Sequence, residues 1–154
     1  QALANACIEE GMNIVSGATE NHLMLIDVRS FGLTGRQAAG AMIASNITLN
    51  KNAIPFDPNG AISTSGLRVG TPAVTTLGMG PAEMREIAAI FKLVLNNTNA
   101  GKIASGPNAG KPSKAVFELD ATAQKEAQGR VKTLLDGFPV YPELDLEFLQ
   151  NHFA

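Results

Sequence analysis

The sequence predicts a small α+β domain of two layers, a short antiparallel or mixed sheet with helices packed on one face. Three observations carry this expectation. Short apolar runs suited to strands alternate with helical patterns, one helical pattern has an apolar stripe wide enough to cover a sheet, and no long series of βαβ units is present. The 154 residues suit one domain over 1–154 with a single core of ordinary size.

Taken in order, residues 2–11 place Leu3, Ala6, Cys7 and Glu10 at helical spacing and stop at Gly11, a residue suited to the left-handed cap position. His22 to Val28 is short and apolar, which predicts a well-covered strand paired with Ile14-Val15. Thr34 and Gln37 have the spacing of a capping box, and the alanine-rich run to Ser45 follows as helix. Ile47-Thr48-Leu49 and Gly66-Leu67-Arg68-Val69 read as short strands. Gly80-Pro81 opens the clearest helix, with Met84, Ile87, Ile90, Phe91, Val94 and Leu95 on one face. Residues 96–113 have almost nothing to bury and read as an exposed loop or linker, the centre of a flexible insertion over about 96–115. Asp120 caps a last helix with Ala123, Ala127, Val131, Leu134 and Leu135 on one side, ended by Gly137. Prolines then extend the tail, and an apolar-acidic end runs from Leu144 to Phe153.

A net charge of −2 and a pI near 5.7 give no basic footprint for nucleic acid or an anionic membrane. No apolar run reaches the roughly 18 residues that a membrane span needs. The single Cys7 cannot form an internal disulfide, and its place on an apolar helix side predicts a buried, inert thiol in a reducing, cytoplasmic setting. The chain starts in mid-pattern on Gln-Ala-Leu-Ala, which predicts a cut end and a fragment of a longer protein.

Several motif-like stretches lack the residues their chemistry needs. Gly106 to Pro112 imitates a phosphate loop, yet has three residues between its glycines where four are needed, and proline where a hydroxyl binds magnesium. Gly78-Met79-Gly80 has Glu83 in place of the third glycine of a dinucleotide turn. His22 and His152 stand far apart with no ligand at metal spacing, so no metal site is expected, and His22 reads as a structural residue opening a buried strand. Glu83 and Glu86, one turn apart beside Arg85, describe a solvated face. No complete catalytic grouping is visible.

The informative stretch is Asn52 to Pro72. Arg68 stands between Gly66 and Gly70 in an apolar run closed by Thr71-Pro72. Its rigid fork of donors matches a carboxylate bidentately, and glycines on either side let a ligand or neighbouring backbone come close. Two readings stay open on this chemistry: an anion clamp for a small acid, or a tie to a loop carboxylate such as Asp57. Asn52 offers its amide either to a polar ring or to its own backbone, the commoner use in a turn.

Longer stretches resemble a known family. Ser16-Gly17-Ala18-Thr19-Glu20-Asn21-His22-Leu23, Asn46 to Asn52, Phe56-Asp57-Pro58 and Thr64-Ser65-Gly66-Leu67-Arg68-Val69-Gly70-Thr71-Pro72-Ala73 resemble the C-terminal part of serine hydroxymethyltransferase. The resemblance runs over about residues 1–98 and resumes from Asp120 to the Pro-Val-Tyr-Pro tail. It implies the small C-terminal domain of a fold-type I pyridoxal-phosphate enzyme that interconverts serine and glycine and passes a one-carbon unit to or from tetrahydrofolate. It also implies that Arg68 binds the substrate carboxylate, orienting the amino acid on the cofactor ring. Asn52 is implied as a folate contact, with Gly60, Ala61 and Ile62 lining the pterin site, and the full-length enzyme as a homo-oligomer, dimer or tetramer.

The departures bear on activity. The family's cofactor-bearing lysine follows a Thr-Thr-Thr-His run, and none of Lys51, Lys92, Lys102, Lys111, Lys114, Lys125 and Lys132 has that context. Pyridoxal phosphate therefore belongs to a large domain outside the chain, no catalytic residue is expected here, and the isolated piece is expected to be inactive. Leu77 stands where the family often has a basic residue, and Glu20 where many relatives have aspartate. The alternative reading is a stand-alone, non-catalytic binding or interaction module that reuses this fold.

Overall fold

The computed structural model describes residues 1–144, 151 and 152. Helix α1 (Ala2–Glu9) leads through Gly11, whose φ of 78° is the left-handed conformation that its position requires, into β1 (Asn13–Ile14) and β2 (Leu23–Asp27). A short 3-10 turn, Arg29–Phe31, precedes α2 (Gly35–Ala44). Then come β3 (Asn50–Asn52), α3 (Gly60–Ser63), β4 (Gly66–Gly70), α4 (Pro72–Thr76) and α5 (Pro81–Asn96). A hairpin, β5 (Thr98–Lys102) and β6 (Pro112–Leu119), and α6 (Ala121–Asp136) follow.

The main sheet has the order β1-β2-β4-β3 and is antiparallel throughout, as β5-β6 is. Its pleat sorts side chains by face. Met24 and Ile26 of β2 and Leu67 and Val69 of β4 are buried in one cluster with Leu3 and Cys7 of α1, Met42 of α2 and Ile90, Phe91 and Val94 of α5. This is the predicted two-layer α+β domain. The α2 capping box forms as its spacing predicts: Gln37 N donates to Thr34 Oγ1 at 3.2 Å, and Thr34 N to Gln37 Oε1 at 2.9 Å. Asp120 caps α6 by accepting from the amides of Thr122 and Ala123.

Four expectations need correction. The third strand lies at Asn50–Asn52, not Ile47–Leu49, because the α2 exit turns back through Asn46 at φ 64° and Ile47 N still bonds to Met42 O. Residues 96–113, and the wider insertion of 96–115, are not a linker: they hold the end of α5, β5 and the start of β6, with a loop only at 103–111. Backbone pairing supplies what their side chains cannot, and α2 anchors the result. Gln37 Nε2, fully buried, donates to Ser113 O and Val116 O at 2.7 and 2.9 Å, while Thr34 Oγ1 donates to Lys114 O at 2.8 Å.

Third, Glu86 is half-exposed but paired across helices rather than merely solvated. Arg130 Nε and NH2 reach its two oxygens at 2.7 and 2.9 Å, tying α6 to α5 and holding the Glu86 carboxyl below its ordinary range. Glu83 accepts from Gly80 N at 2.7 Å at the start of α5. Fourth, the apolar side of α6 is covered unevenly: Ala123 and Ala127 are buried, Val131 and Leu134 pack half-buried against the core, and Leu135 is exposed. The apolar-acidic end predicted from Leu144 to Phe153 lies largely outside the described residues. Cys7 is buried as expected, and burial, with the Glu10 charge adding to it, pushes its thiol pKa up to about 12.

Candidate functional site

The site is built on the outer face of the main sheet. Because side chains alternate along β4, the burial of Leu67 and Val69 turns Arg68 to the other side, where it is exposed. Its Cα partners are Leu25 on β2 and Asn50 on β3, so the arginine is flanked by strands on both sides. Gly66 is required by close approach: a Cβ there would stand 2.6 Å from Ile54 Cγ2 and 2.9 Å from Asn52 O. Gly70 meets only ordinary contacts, so the expected narrowing applies on one side of Arg68.

Arg68 has no hydrogen bond or ion pair among the described residues. The tie to Asp57 does not form, because that carboxylate is otherwise occupied. It accepts from the amides of Ile54, Asn59 and Ser65 and from the Ser65 hydroxyl, at 2.7–3.1 Å. Burial alone would raise the Asp57 pKa, but these hydrogen bonds outweigh it and hold the carboxyl below its ordinary range. By contrast, Arg29 on the same domain is paired, its NH2 lying 2.7 Å from Asp27 Oδ2.

Asn52 closes β3 opposite Gly66, which places it on the outer face two residues along from Asn50 and Arg68. Its amide Nδ2 donates to Ala53 O at 2.7 Å, the local backbone use expected of asparagine near a turn. Gly60, Ala61 and Ile62 lie in α3; Gly60 takes φ 67°, and Ile62 is 75% exposed. Lys51 Nζ donates to Ala61 O at 3.4 Å. The fold places Asn52 on the sheet face that carries Arg68, whereas the 60–62 turn meets Lys51 and packs against α2, and neither Asn52 nor that turn borders the cavity that Arg68 lines.

An open cavity of about 800 Å³ begins at this arginine and runs under the sheet end toward α5 and α6. Its polar rim includes His22, Asn50, Arg68 and Thr71, and its floor includes Ile87, Phe91 and Leu134. His22, expected to open a buried strand, is instead exposed and precedes β2; its carbonyl accepts from Thr71 N at 3.0 Å. Sequence reasoning missed Asn50 and His22 as rim residues and Asp57 as a structural hub. Only Asp57 left a signal, since Asp-Pro-Asn favours a turn in which the carboxylate accepts from the amide two residues on.

No lysine among the described residues borders the cavity. Lys92 lies 5.0 Å from the Phe31 ring centroid, and Lys132 pairs with Asp136 at 2.6 Å. The residues present do not form a pyridoxal-phosphate site by themselves. Among the described residues no group of His, Cys, Asp and Glu is placed to hold a metal, and no helix is long and apolar enough to cross a membrane.

The family model described as Serine hydroxymethyltransferase matches residues 1–91. Curated relatives named serine hydroxymethyltransferase include one from Treponema pallidum, 50% identical over 154 residues, covering 100% of this chain and 26% of that protein. A second, from Salinispora tropica, is 49% identical over 146 residues, covering 95% and 30%. A third, from Chlamydia trachomatis serovar L2, is 44% identical over 149 residues, covering 97% and 29%. The chain spans between a quarter and a third of the length of these relatives, and with its model match over more than half of the residues it belongs to the serine hydroxymethyltransferase family.

Proposed function

We propose that this chain is the small C-terminal domain of a serine hydroxymethyltransferase and that Arg68 is its clamp for the carboxylate of serine or glycine. The observation that carries the proposal is an exposed guanidinium held between two strands, without a partner among the described residues, at the rim of the cavity. A charge that the fold spends nothing to neutralise is available to a ligand, and its planar fork suits a carboxylate. Asn52, on the same sheet face, and the Gly60–Ile62 turn are the part of the tetrahydrofolate site that this domain contributes. Asn52 can turn its amide outward at the cost of one exposed local hydrogen bond.

Pyridoxal phosphate supplies electron withdrawal from the amino acid when bound, and its residues belong to the remainder of the longer protein. This domain's share is to hold and orient the substrate. The same reading makes the full-length protein a homo-oligomer, dimer or tetramer, and the buried reduced thiol of Cys7 supports a cytoplasmic setting. The test is glycine binding by the full-length enzyme with Arg68→Ala against the unaltered protein; unchanged affinity would sink the clamp. Incubating the isolated domain with pyridoxal phosphate should give no lysine-bound absorption band, and a band fixed by borohydride to a lysine of this chain would overturn the assignment of the cofactor to the missing part.

A further inference from the structure

Residues 53–65 join Asn52 to the strand that carries Arg68, and one carboxylate organises them. Asp57 Oδ2 accepts from Ile54 N at 3.1 Å and Ser65 N at 2.8 Å. Its Oδ1 accepts from Asn59 N at 2.8 Å and Ser65 Oγ at 2.7 Å. Ser65, fully buried, accepts in turn from Asn59 Nδ2 at 3.0 Å. A single side chain therefore touches the residue two beyond Asn52, the residue just before Gly60 and the residue three before Arg68.

The backbone it holds is one that the chain does not adopt unaided. Phe56 and Thr64 take φ of 55° and 54°, left-handed values that cost a non-glycine residue energy, most for β-branched Thr64. The Thr64 hydroxyl is buried without a partner among the described residues, packed where Gly35 leaves room: a Cβ on Gly35 would stand 2.4 Å from it. Such conformations persist only where the surroundings over-determine them. Here Thr64 is also held by backbone bonds, its N donating to Gly60 O and its carbonyl accepting from Gly35 N, both at 3.0 Å, while the four bonds to Asp57 tie the two ends of the segment together.

We infer, on the reading of the two subsites given above, that Asp57 is a positioning residue that holds the Asn52 and Gly60–Ile62 subsite in register with the Arg68 clamp. Its loss acts unequally on the two. Arg68 is pinned by β2 and β3 on both sides, whereas the chain between Ile54 and Ser63 loses its common anchor. The folate side is displaced and the carboxylate side stays.

The experiment uses the full-length enzyme with Asp57→Ala, measuring KM for tetrahydrofolate with serine and, separately, the Kd of glycine. KM for tetrahydrofolate should rise about tenfold or more, the scale of several amides left without acceptors, while the glycine Kd stays within about twofold. Asp57→Asn keeps one acceptor oxygen and should give a smaller rise in the same constant; it decides the matter if the alanine variant fails to fold. A folded variant with unchanged KM for tetrahydrofolate, or with both constants raised in parallel, overturns the inference. Arg68→Ala in the same assay separates the two claims. If it leaves glycine affinity unchanged, the subsite reading itself fails; if it weakens glycine while Asp57→Ala leaves the folate constant alone, only the positioning role fails.

Discussion

The two faces of the main sheet are made by the same short strands and serve opposite ends. On β4, Leu67 and Val69 point into the cluster shared by α1, α2 and α5, while Gly66, Arg68 and Gly70 point away from it. On the inner face these side chains join one buried apolar cluster, where each is specified largely by its volume. On the outer face, Arg68 stands beside Asn50 and Leu25 with no countercharge paired to it among the described residues. A strand of five residues can therefore be anchored by two of them and leave the intervening one free for a ligand. The inner face fixes where the arginine is, and the outer face leaves its chemistry unspent.

If that division holds, substitutions on the two faces should separate stability from binding. The largest effect expected is on binding: Arg68→Ala in the full-length enzyme should weaken glycine binding by about 3–5 kcal/mol, the order found when one partner of a desolvated charge pair is removed. Thermal unfolding of the same variant should stay near that of the parent, and calorimetric titration of glycine gives the first number. Lysine at 68 should restore little, because it lacks the planar fork.

The converse on the inner face is Ile26→Ala, at a fully buried position, which should cost about 2–5 kcal/mol of stability in urea unfolding, with no selective change in glycine affinity. A smaller cost with lost binding would contradict the division. Gly35→Ala should come next, at about 1–3 kcal/mol, because the added Cβ would meet Thr64 Oγ1 at 2.4 Å and Gly66 O at 2.5 Å. That contact lies behind the segment leading to Arg68, so glycine affinity should fall with stability.

The smallest effect concerns Cys7, deep on the inner side. Its folded pKa is raised from 9.0 to about 12 by burial and by the Glu10 charge. The neutral thiol's contribution is thus complete below pH 9.0 and lost as pH rises toward the folded value, at about 1.4 kcal/mol per unit at most. Urea midpoints measured between pH 8 and 10.5 should fall in the parent more steeply than in Cys7→Ala. Equal slopes would show that Cys7 is more open to water than its burial implies.

Much of this was legible because it is local. The Thr34-Gln37 capping box, the Gly11 turn, the Asp120 cap and the apolar stripe of α5 are all set by residues a few positions apart, and each formed as its spacing predicts. The hairpin at 98–119 was not legible, because its strands carry little apolar pattern and are held by backbone pairing and by Gln37, about 80 residues away. The Glu86–Arg130 pair was hidden for the same reason, with 44 positions between its members. Asp57 was visible as a turn former, yet its bonds to Ser65 close a loop whose ends come together only when β4 enters the sheet.

The sequence by itself determined the class of fold, the identity of the resembling family and the choice of Arg68 as the residue to watch, since those rest on periodicity, capping chemistry and a long specific run. Only the tertiary structure removed one of the two roles open to that arginine. Its competitor, the tie to Asp57, failed because three backbone amides and a serine hydroxyl reach that carboxylate first. Hydrogen-bond partners in a folded chain are allotted by geometry among many candidates, and no spacing along the sequence ranks them.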